Sequence, residues 1–301
     1  MHPFKKLVHG ELGHSLPPDQ VQAYVNFYAL DLNNVQHQLC PIQSGQWRVM
    51  VQTFTPAEVR GDVLLCHGYY DHVGIYGHVI RYLLQRGLRV VTFDQPGHGL
   101  SQGEPATIDS FESYVQVVED VRQFAEARYG EQAWHWVGQS MGGAVVMEYL
   151  ARQSTVSGDV VLFAPLVRPY AWGINQWVFA LAKHTIVQKK RVFTQNADNP
   201  EFLSFLRDDP LQAHVLPVAW VQAMVDWFTG FEQREPMTWA PRIIQGHLDR
   251  TVDWQYNEGV LRRLFPQAQW LALPTGRHHL VNESAELRAQ MWQWLDQQVF
   301  L

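Results

Sequence analysis

The segment Trp134-His135-Trp136-Val137-Gly138-Gln139-Ser140-Met141-Gly142-Gly143 constrains this chain more than any other. A short apolar run ends in Gly-x-Ser-x-Gly and passes directly into a helix-like pattern, the signature of a strand, a sharp turn and a helix with the serine at the turn. Such a turn strains the serine backbone, and glycines two residues to either side let neighbouring backbone approach where a Cβ would collide. Ser140 is therefore expected to present its hydroxyl at a strand tip. Residue frequencies alone would place the five-residue pattern in roughly one chain in ten of this length, so its surroundings must carry the argument.

Those surroundings alternate. Strand-like runs are expected at Gln46 to Thr53, Asp62 to Cys66, Arg89 to Phe93, Ala133 to Val137 and Asp159 to Phe163, with helical patterns at Tyr76 to Gln85, Ser110 to Arg128 and Met141 to Arg152 between them. Near-continuous apolar strands separated by amphipathic helices predict an α/β fold, a mostly parallel sheet covered by helices on both faces. From Leu166 to Met237 the alternation gives way to aromatic, proline-punctuated, helix-like pieces without strand signals. It resumes with a strand at Arg242 to Gln245, a helix at Tyr256 to Phe265, a strand at Gln269 to Leu273 and a helix at Ala285 to Val299. The reading is a core of residues 1–165 and 238–301 interrupted by a helical cap over 166–237.

With 301 residues, 47% of them hydrophobic, the chain can bury a large core, and a single sizeable domain with an insertion accommodates it. A net charge of -6 supplies no basic field for a polyanion, which argues against nucleic acid as a partner. The one basic cluster, Lys189-Lys190-Arg191, is read mainly as a solvated face, with anionic lipid headgroups as the alternative. The first sixteen residues hold no apolar block of the signal-peptide kind, and no apolar run approaches the ~20 residues a membrane span needs. The expected location is cytoplasmic or peripheral to a membrane. Cys40 and Cys66 are too few for a disulfide framework and read as buried thiols.

A serine hydroxyl is a weak nucleophile near neutral pH and needs an imidazole to take its proton and an acid to hold that imidazole. In an open parallel sheet such groups collect at the carboxyl ends of strands. Two loops after the insertion qualify, Gln245-Gly246-His247-Leu248-Asp249 and Leu273-Pro274-Thr275-Gly276-Arg277-His278-His279. Asp253 rivals Asp249, but Asp249 lies directly after the strand, and Asp253 suits the cap of the following helix. His279 rivals His278 by adjacency. Charge developing on a substrate carbonyl oxygen calls for backbone donors, each worth roughly 3 kcal/mol, and Met141 N–H after the serine and Tyr69 N–H after His67-Gly68 are the expected pair. His67, His72 and His98 lack paired-ligand spacing and read as loop-bracing groups, so no metal is expected. Asp94, Gly97 and Gly99 do not complete a dinucleotide fingerprint, so no cofactor is expected either.

The stretches Cys66-His67-Gly68-Tyr69-Tyr70-Asp71-His72, Phe93-Asp94-Gln95-Pro96-Gly97-His98-Gly99-Leu100-Ser101-Gln102-Gly103 and Gly138 to Gly143 together resemble the monoacylglycerol lipase and lysophospholipase family of α/β-hydrolases, which includes enzymes called serine aminopeptidases. The likeness runs from about Gln46 to the C-terminus and continues more loosely through Asp208-Asp209-Pro210-Leu211 and Trp220 in the cap. It implies an α/β-hydrolase fold with Ser140 as nucleophile, Asp249 as orienting acid, His278 as base, and Tyr69 and Met141 as oxyanion donors. Tyr69 departs from the small residue often found there, which would narrow the pocket. The implied substrate is an ester of a single-chain lipid. The cap aromatics Trp172, Trp177, Phe179, Phe193, Phe202, Phe205, Trp220, Trp227, Phe228 and Phe231 are read mostly as core, with an apolar pocket or a membrane-facing surface as the alternative. A broad carboxylesterase or an aminopeptidase-like hydrolase is the rival within catalysis, and a non-catalytic binding protein is the rival outside it.

Overall fold

A computed structural model of the chain describes residues 2–30, 32–183 and 185–299; residues 1, 31, 184, 300 and 301, which fall within the ranges assigned to core and cap, lie outside them. The chain enters through α1 (Pro18–Phe27), with Pro18 at the first helical position, where a missing N–H costs nothing. An antiparallel hairpin follows, β1 (Val35–Ser44) and β2 (Trp47–Pro56). Then come β3 (Gly61–Cys66), α2 (Gly77–Leu84), β4 (Leu88–Phe93), α3 (Phe111–Tyr129), β5 (Trp134–Gln139), α4 (Met141–Leu150) and β6 (Val160–Phe163). Next are α5 (Trp172–Ala182), β7 (Gln188–Lys190), α6 (Pro200–Asp208), β8 (Val215–Pro217) and α7 (Val218–Phe231). The chain closes with β9 (Arg242–Gly246), α8 (Trp254–Leu264), β10 (Gln269–Leu273) and α9 (Ala285–Leu295).

Eight strands form one sheet in the order β1-β2-β4-β3-β5-β6-β9-β10. From β4 to β10 every pairing is parallel, and β2 alone runs against the others. The predicted α/β architecture is thus present, with β6 hydrogen-bonded directly to β9 across the 78 residues that part them in sequence. Successive residues of β3 serve opposite faces: Leu64 and Cys66 pack with α3, α4 and α8, whereas Val63 and Leu65 pack with α1, α2 and α9. Because every strand of the sheet but β2 runs the same way, the loops after β3, β5, β9 and β10 emerge at one edge.

Three local expectations change. The strand placed at Gln46 to Thr53 runs Trp47–Pro56 and pairs with β1, which periodicity did not suggest because polar residues and Pro41 interrupt its apolar ones. Proline is tolerated there because β1 is an edge strand, where a missing N–H breaks no interior ladder. The segment between β6 and β9 is not purely helical, since β7 and β8 pair as a short antiparallel ribbon. Strands of three residues are too brief to register as an alternation. Finally, its aromatics divide: Trp172, Trp220, Trp227, Phe228 and Phe231 are buried, but Trp177 is 71% exposed beside Ile174, Val178 and Leu181 on α5.

Candidate active site

Between β5 and α4 the chain reverses within one residue. Ser140 takes φ 54° and ψ -116°, a conformation outside the ordinary regions for a side-chain-bearing residue, with a cost on the order of 1–3 kcal/mol. Its neighbours hold it there. Ser140 N–H donates to Phe163 O at 2.9 Å, and Ser140 O accepts from Ala144 N–H and Leu166 N–H, each at 3.1 Å. Gly142 lets the first turn of α4 lie against the end of β3, where a Cβ would stand 2.1 Å from Cys66 O. Ser140 is 7% exposed.

The loops after β9 and β10 converge on that serine. Ser140 Oγ lies 2.9 Å from His278 Nε2, and His278 Nδ1 lies 2.7 Å from Asp249 Oδ2. With the Nδ1–H donating to the carboxylate, Nε2 keeps its lone pair for the serine proton. Asp249 also accepts from Gln245 Nε2 at 3.2 Å, Thr251 N–H at 2.7 Å and Val252 N–H at 3.1 Å, so its buried charge is met by fixed donors. Gln139 Nε2, one residue before the serine, donates to His278 O at 2.9 Å and ties the two loops together. The rivals go elsewhere: Asp253 caps α8 by accepting from Tyr256 N–H at 3.3 Å, and His279 faces Asp71.

The loop after β3 lies on the other side of the serine. A Cβ on Gly68 would stand 3.4 Å from Ser140 Cβ, so its lack of a side chain permits this approach. Gly68 O accepts from His67 Nδ1–H at 2.8 Å and from Asp71 N–H at 3.1 Å. In a trans peptide the N–H opposes the C=O, so anchoring Gly68 O turns Tyr69 N–H the other way. His67 Nε2 accepts from Gln95 N–H at 2.8 Å, which fixes the tautomer, and burial pushes the ring below the ordinary imidazole pKa against the pull of Asp94. No group among the described residues accepts from Tyr69 N–H or Met141 N–H. The Tyr69 ring stacks on Trp220 of α7 at 3.6 Å, and its hydroxyl donates to Ala106 O at 2.8 Å, so the aromatic ring expected to narrow the pocket is held against the insertion.

His72 and His98 serve the same loops. His72 Nε2 is 2.7 Å from Asp209 Oδ2, and His98 Nδ1–H donates to Pro96 O at 2.9 Å. Among the described residues no group of three His, Cys, Asp or Glu could hold a metal ion. Sequence reasoning passed over Asp71, Tyr76, Gln139 and Gln245, whose pairings join residues remote in sequence or lie inside motifs noted for other members. Nothing local marks His279 for its partner Asp71, 208 positions away.

A profile of the family described as Serine aminopeptidase, S33 matches residues 57–285. The chain is 27% identical over 251 residues to the monoacylglycerol lipase of Mycolicibacterium smegmatis, covering 80% of this chain and 89% of that protein. Among solved structures, a soluble variant of the Saccharomyces cerevisiae monoglyceride lipase in complex with a substrate analog superposes with a TM-score of 0.74 at 18% identity, over 90% of this chain and 98% of that one. The Paleococcus ferrophilus monoacylglycerol lipase superposes with a TM-score of 0.71 at 21% identity, over 82% and 98%. At such identities the superpositions establish the fold.

Proposed function

The chain belongs to the serine aminopeptidase S33 family of α/β-hydrolases, and from that premise we propose that it cleaves carboxylic esters of single-chain lipids, as a monoacylglycerol lipase or lysophospholipase, through an acyl-enzyme on Ser140. The observation that carries this reading is the continuous line Ser140 Oγ, His278, Asp249 at 2.9 and 2.7 Å. Ser140 Oγ attacks the ester carbonyl while its proton passes to His278 Nε2, and the carbonyl oxygen gains a negative charge. In this reading Tyr69 N–H and Met141 N–H receive that oxyanion, at roughly 3 kcal/mol each. Collapse of the tetrahedral intermediate breaks the bond to the alcohol, which leaves with the proton from His278. Water then enters, gives its proton to His278 and attacks the acyl carbonyl, and Ser140 departs with the proton returned. Asp249 stabilises the imidazolium in both halves.

The lipid assignment is supported by the resemblance to the mycobacterial lipase and by an aromatic insertion beside the site, where Trp220 stacks on Tyr69. Residues 166–237 are read as a cap over the pocket. Peptidase action on free N-termini would call for a carboxylate available to an ammonium group. The carboxylates of the neighbouring loops are spent instead, Asp94 on Val73 N–H and Leu100 N–H, and Asp71 on Tyr76 and His279. The cap also offers a route to the membrane. Ile174, Trp177, Val178 and Leu181 expose 62 to 81% of their surface on α5, and Lys189 and Lys190, a few residues further along the chain, are exposed on β7, while no helix among the described residues is long and apolar enough to span a bilayer. Replacing Trp177 and Leu181 by serine should abolish co-sedimentation with anionic vesicles and leave turnover of dissolved short esters unchanged; undiminished sedimentation would remove the membrane reading.

Hydrolysis of p-nitrophenyl acyl esters, monoacylglycerols and lysophosphatidylcholine by the wild type and Ser140→Ala, with a fluorophosphonate label for the nucleophile, tests the assignment. Label and turnover lost together in Ser140→Ala, with long single-chain esters preferred, are expected. Turnover confined to short esters would discard the lipid substrate, and turnover surviving in Ser140→Ala would discard the mechanism.

A further inference from the structure

Beside the proposed triad runs a second buried string that the chemistry above does not use. His279 Nε2–H donates to Asp71 Oδ1 at 3.1 Å, and Asp71 Oδ2 accepts from the Tyr76 hydroxyl at 2.8 Å. The same hydroxyl oxygen accepts from Gly68 N–H at 2.8 Å. All three side chains are buried, with His279, Asp71 and Tyr76 exposed by 2, 5 and 1%. One end of the string is therefore the residue next to His278, and the other is the residue next to Tyr69.

Asp71 holds that second end twice. Its own N–H donates to Gly68 O, and its carboxylate, through Tyr76, fixes Gly68 N–H. Both peptide groups of Gly68 are thus set by one residue, which in turn grips the loop of the base. The outer end is closed by the insertion, where His279 N–H donates to Asn196 O at 2.7 Å and the Phe202 ring lies 4.8 Å from the imidazole. Burial works against ionisation of Asp71, but His279 and the hydrogen bonds from His279 and Tyr76 hold its carboxyl well below the usual carboxylate range. One oxygen of this carboxylate faces the loop of His279 and the other faces Tyr76, so the two loops are joined through a single side chain.

We propose that Asp71 is a positioning residue which, with Tyr76 and His279, clamps the loop of the Tyr69 N–H donor to the loop of the His278 base, so that the two meet the reacting carbonyl in one fixed geometry. This rests on the assignment of Ser140 and His278 as nucleophile and base. Attack occurs at the carbon and oxyanion capture at the oxygen of a single carbonyl, and displacement of either partner by about 1 Å costs on the order of a hundredfold in rate. Ground-state binding of the acyl chain needs no such registration, so the clamp acts on kcat.

The test measures kcat and KM of the full chain on p-nitrophenyl butyrate for Asp71→Asn, Tyr76→Phe, His279→Leu and His279→Gln, with fluorophosphonate labelling and thermal unfolding alongside. Expected are losses of about ten- to a hundredfold in kcat for the first three, with KM within about twofold. His279→Gln, whose amide N–H can replace the Nε2–H donor, should recover most of the rate. Labelling at Ser140 in every variant would keep the nucleophile assignment standing apart from the clamp, whereas a label that persists in Ser140→Ala would remove that assignment itself. Folded variants with wild-type kcat, or with a raised KM alone, overturn the clamp, as does His279→Gln falling as low as His279→Leu. Should Asp71→Asn fail to fold, Tyr76→Phe and the two His279 variants decide alone.

Discussion

His278 and His279 are neighbours in sequence, both are buried, and each lies on an aspartate, yet their surroundings give them opposite uses. His278 has both nitrogens addressed, Nδ1 by Asp249 and Nε2 by Ser140 Oγ. His279 has one, since Nε2 meets Asp71 while Nδ1 has no hydrogen-bond partner among the described residues. An Asp–His pair becomes a base only when the imidazole's far nitrogen meets a proton to take; without one it is a strut. The acceptors differ in kind as well. Asp249 also accepts from the backbone N–H groups of Thr251 and Val252 and from the Gln245 amide, whereas Asp71 shares its oxygens between two side chains that lead to separate loops.

The sharpest way to break this contrast is to exchange the imidazoles one at a time. His278→Gln should lower kcat/KM by on the order of 10⁵, close to the loss in Ser140→Ala, because the two act as one unit. His279→Gln should stay within about tenfold of wild type, since it removes no proton acceptor from the reaction. Steady-state kinetics on a short ester reads both, and equal losses would erase the distinction between the neighbours.

A somewhat smaller effect separates the acids. Asp249→Asn keeps the shape but presents an amide where the imidazole needs an acceptor, and kcat should fall by on the order of 10⁴. Asp253, its rival in sequence, caps α8, so Asp253→Ala should cost about 1 kcal/mol of stability in urea unfolding and leave turnover nearly intact. Activity lost with Asp253 and retained without Asp249 would reverse the assignment.

A third pair extends the comparison away from chemistry. His72 and Asp209 have no exposed side-chain surface and join the loop after β3 to the insertion, and Asp209 Oδ1 also accepts from the Tyr28 hydroxyl at 2.6 Å. Neither nitrogen of His72 meets a nucleophile, because Nδ1 accepts from Gly74 N–H at 3.2 Å. Removing one member strands the other, and Asp209→Ala should cost about 3–5 kcal/mol in equilibrium unfolding. A loss below about 1 kcal/mol would mean the carboxylate contributes little to holding the insertion.

What could be read in advance follows from how local each signal is. Ser140, Asp249 and His278 sit where strands end, and strand ends are visible as breaks in apolar periodicity, so their order along the chain suggested their meeting. Most of the sheet was legible for the same reason. Edge strand β1 was not, because Pro41 and its polar neighbours hide a pattern that only pairing with β2 completes. The Asp71 string and the His72–Asp209 pair join residues 208 and 137 positions apart, and nothing local marks one carboxylate for one imidazole at such distances. On α5 the reading as core holds for Trp172 and not for Trp177: the helix is apolar on most sides, so the sequence could not say which side meets protein and which meets solvent.

The His72–Asp209 pair also leaves a mark in the pH dependence of stability, the smallest of these effects. Burial opposes ionisation of Asp209, but His72, the Tyr28 hydroxyl and Leu211 N–H hold its carboxyl down to about 2, against an ordinary 3.8. A depressed folded-state value contributes stability that is present above about 4 and is lost as pH falls toward 2, worth about 2 kcal/mol for a shift of this size. For His72 burial again opposes the charge and Asp209 outweighs it, so its pKa is raised and its contribution is complete below the free imidazole value and fades as pH climbs through the folded one. Both shifts express a single attraction, counted once. Urea unfolding of the wild type and Asp209→Asn at intervals from pH 2 to 8 should therefore show the variant's penalty greatest near pH 5, where both partners are charged, and shrinking toward pH 2. A penalty constant across that acid range would assign the role of Asp209 to its hydrogen bonds with Tyr28 and Leu211 and leave its charge without effect.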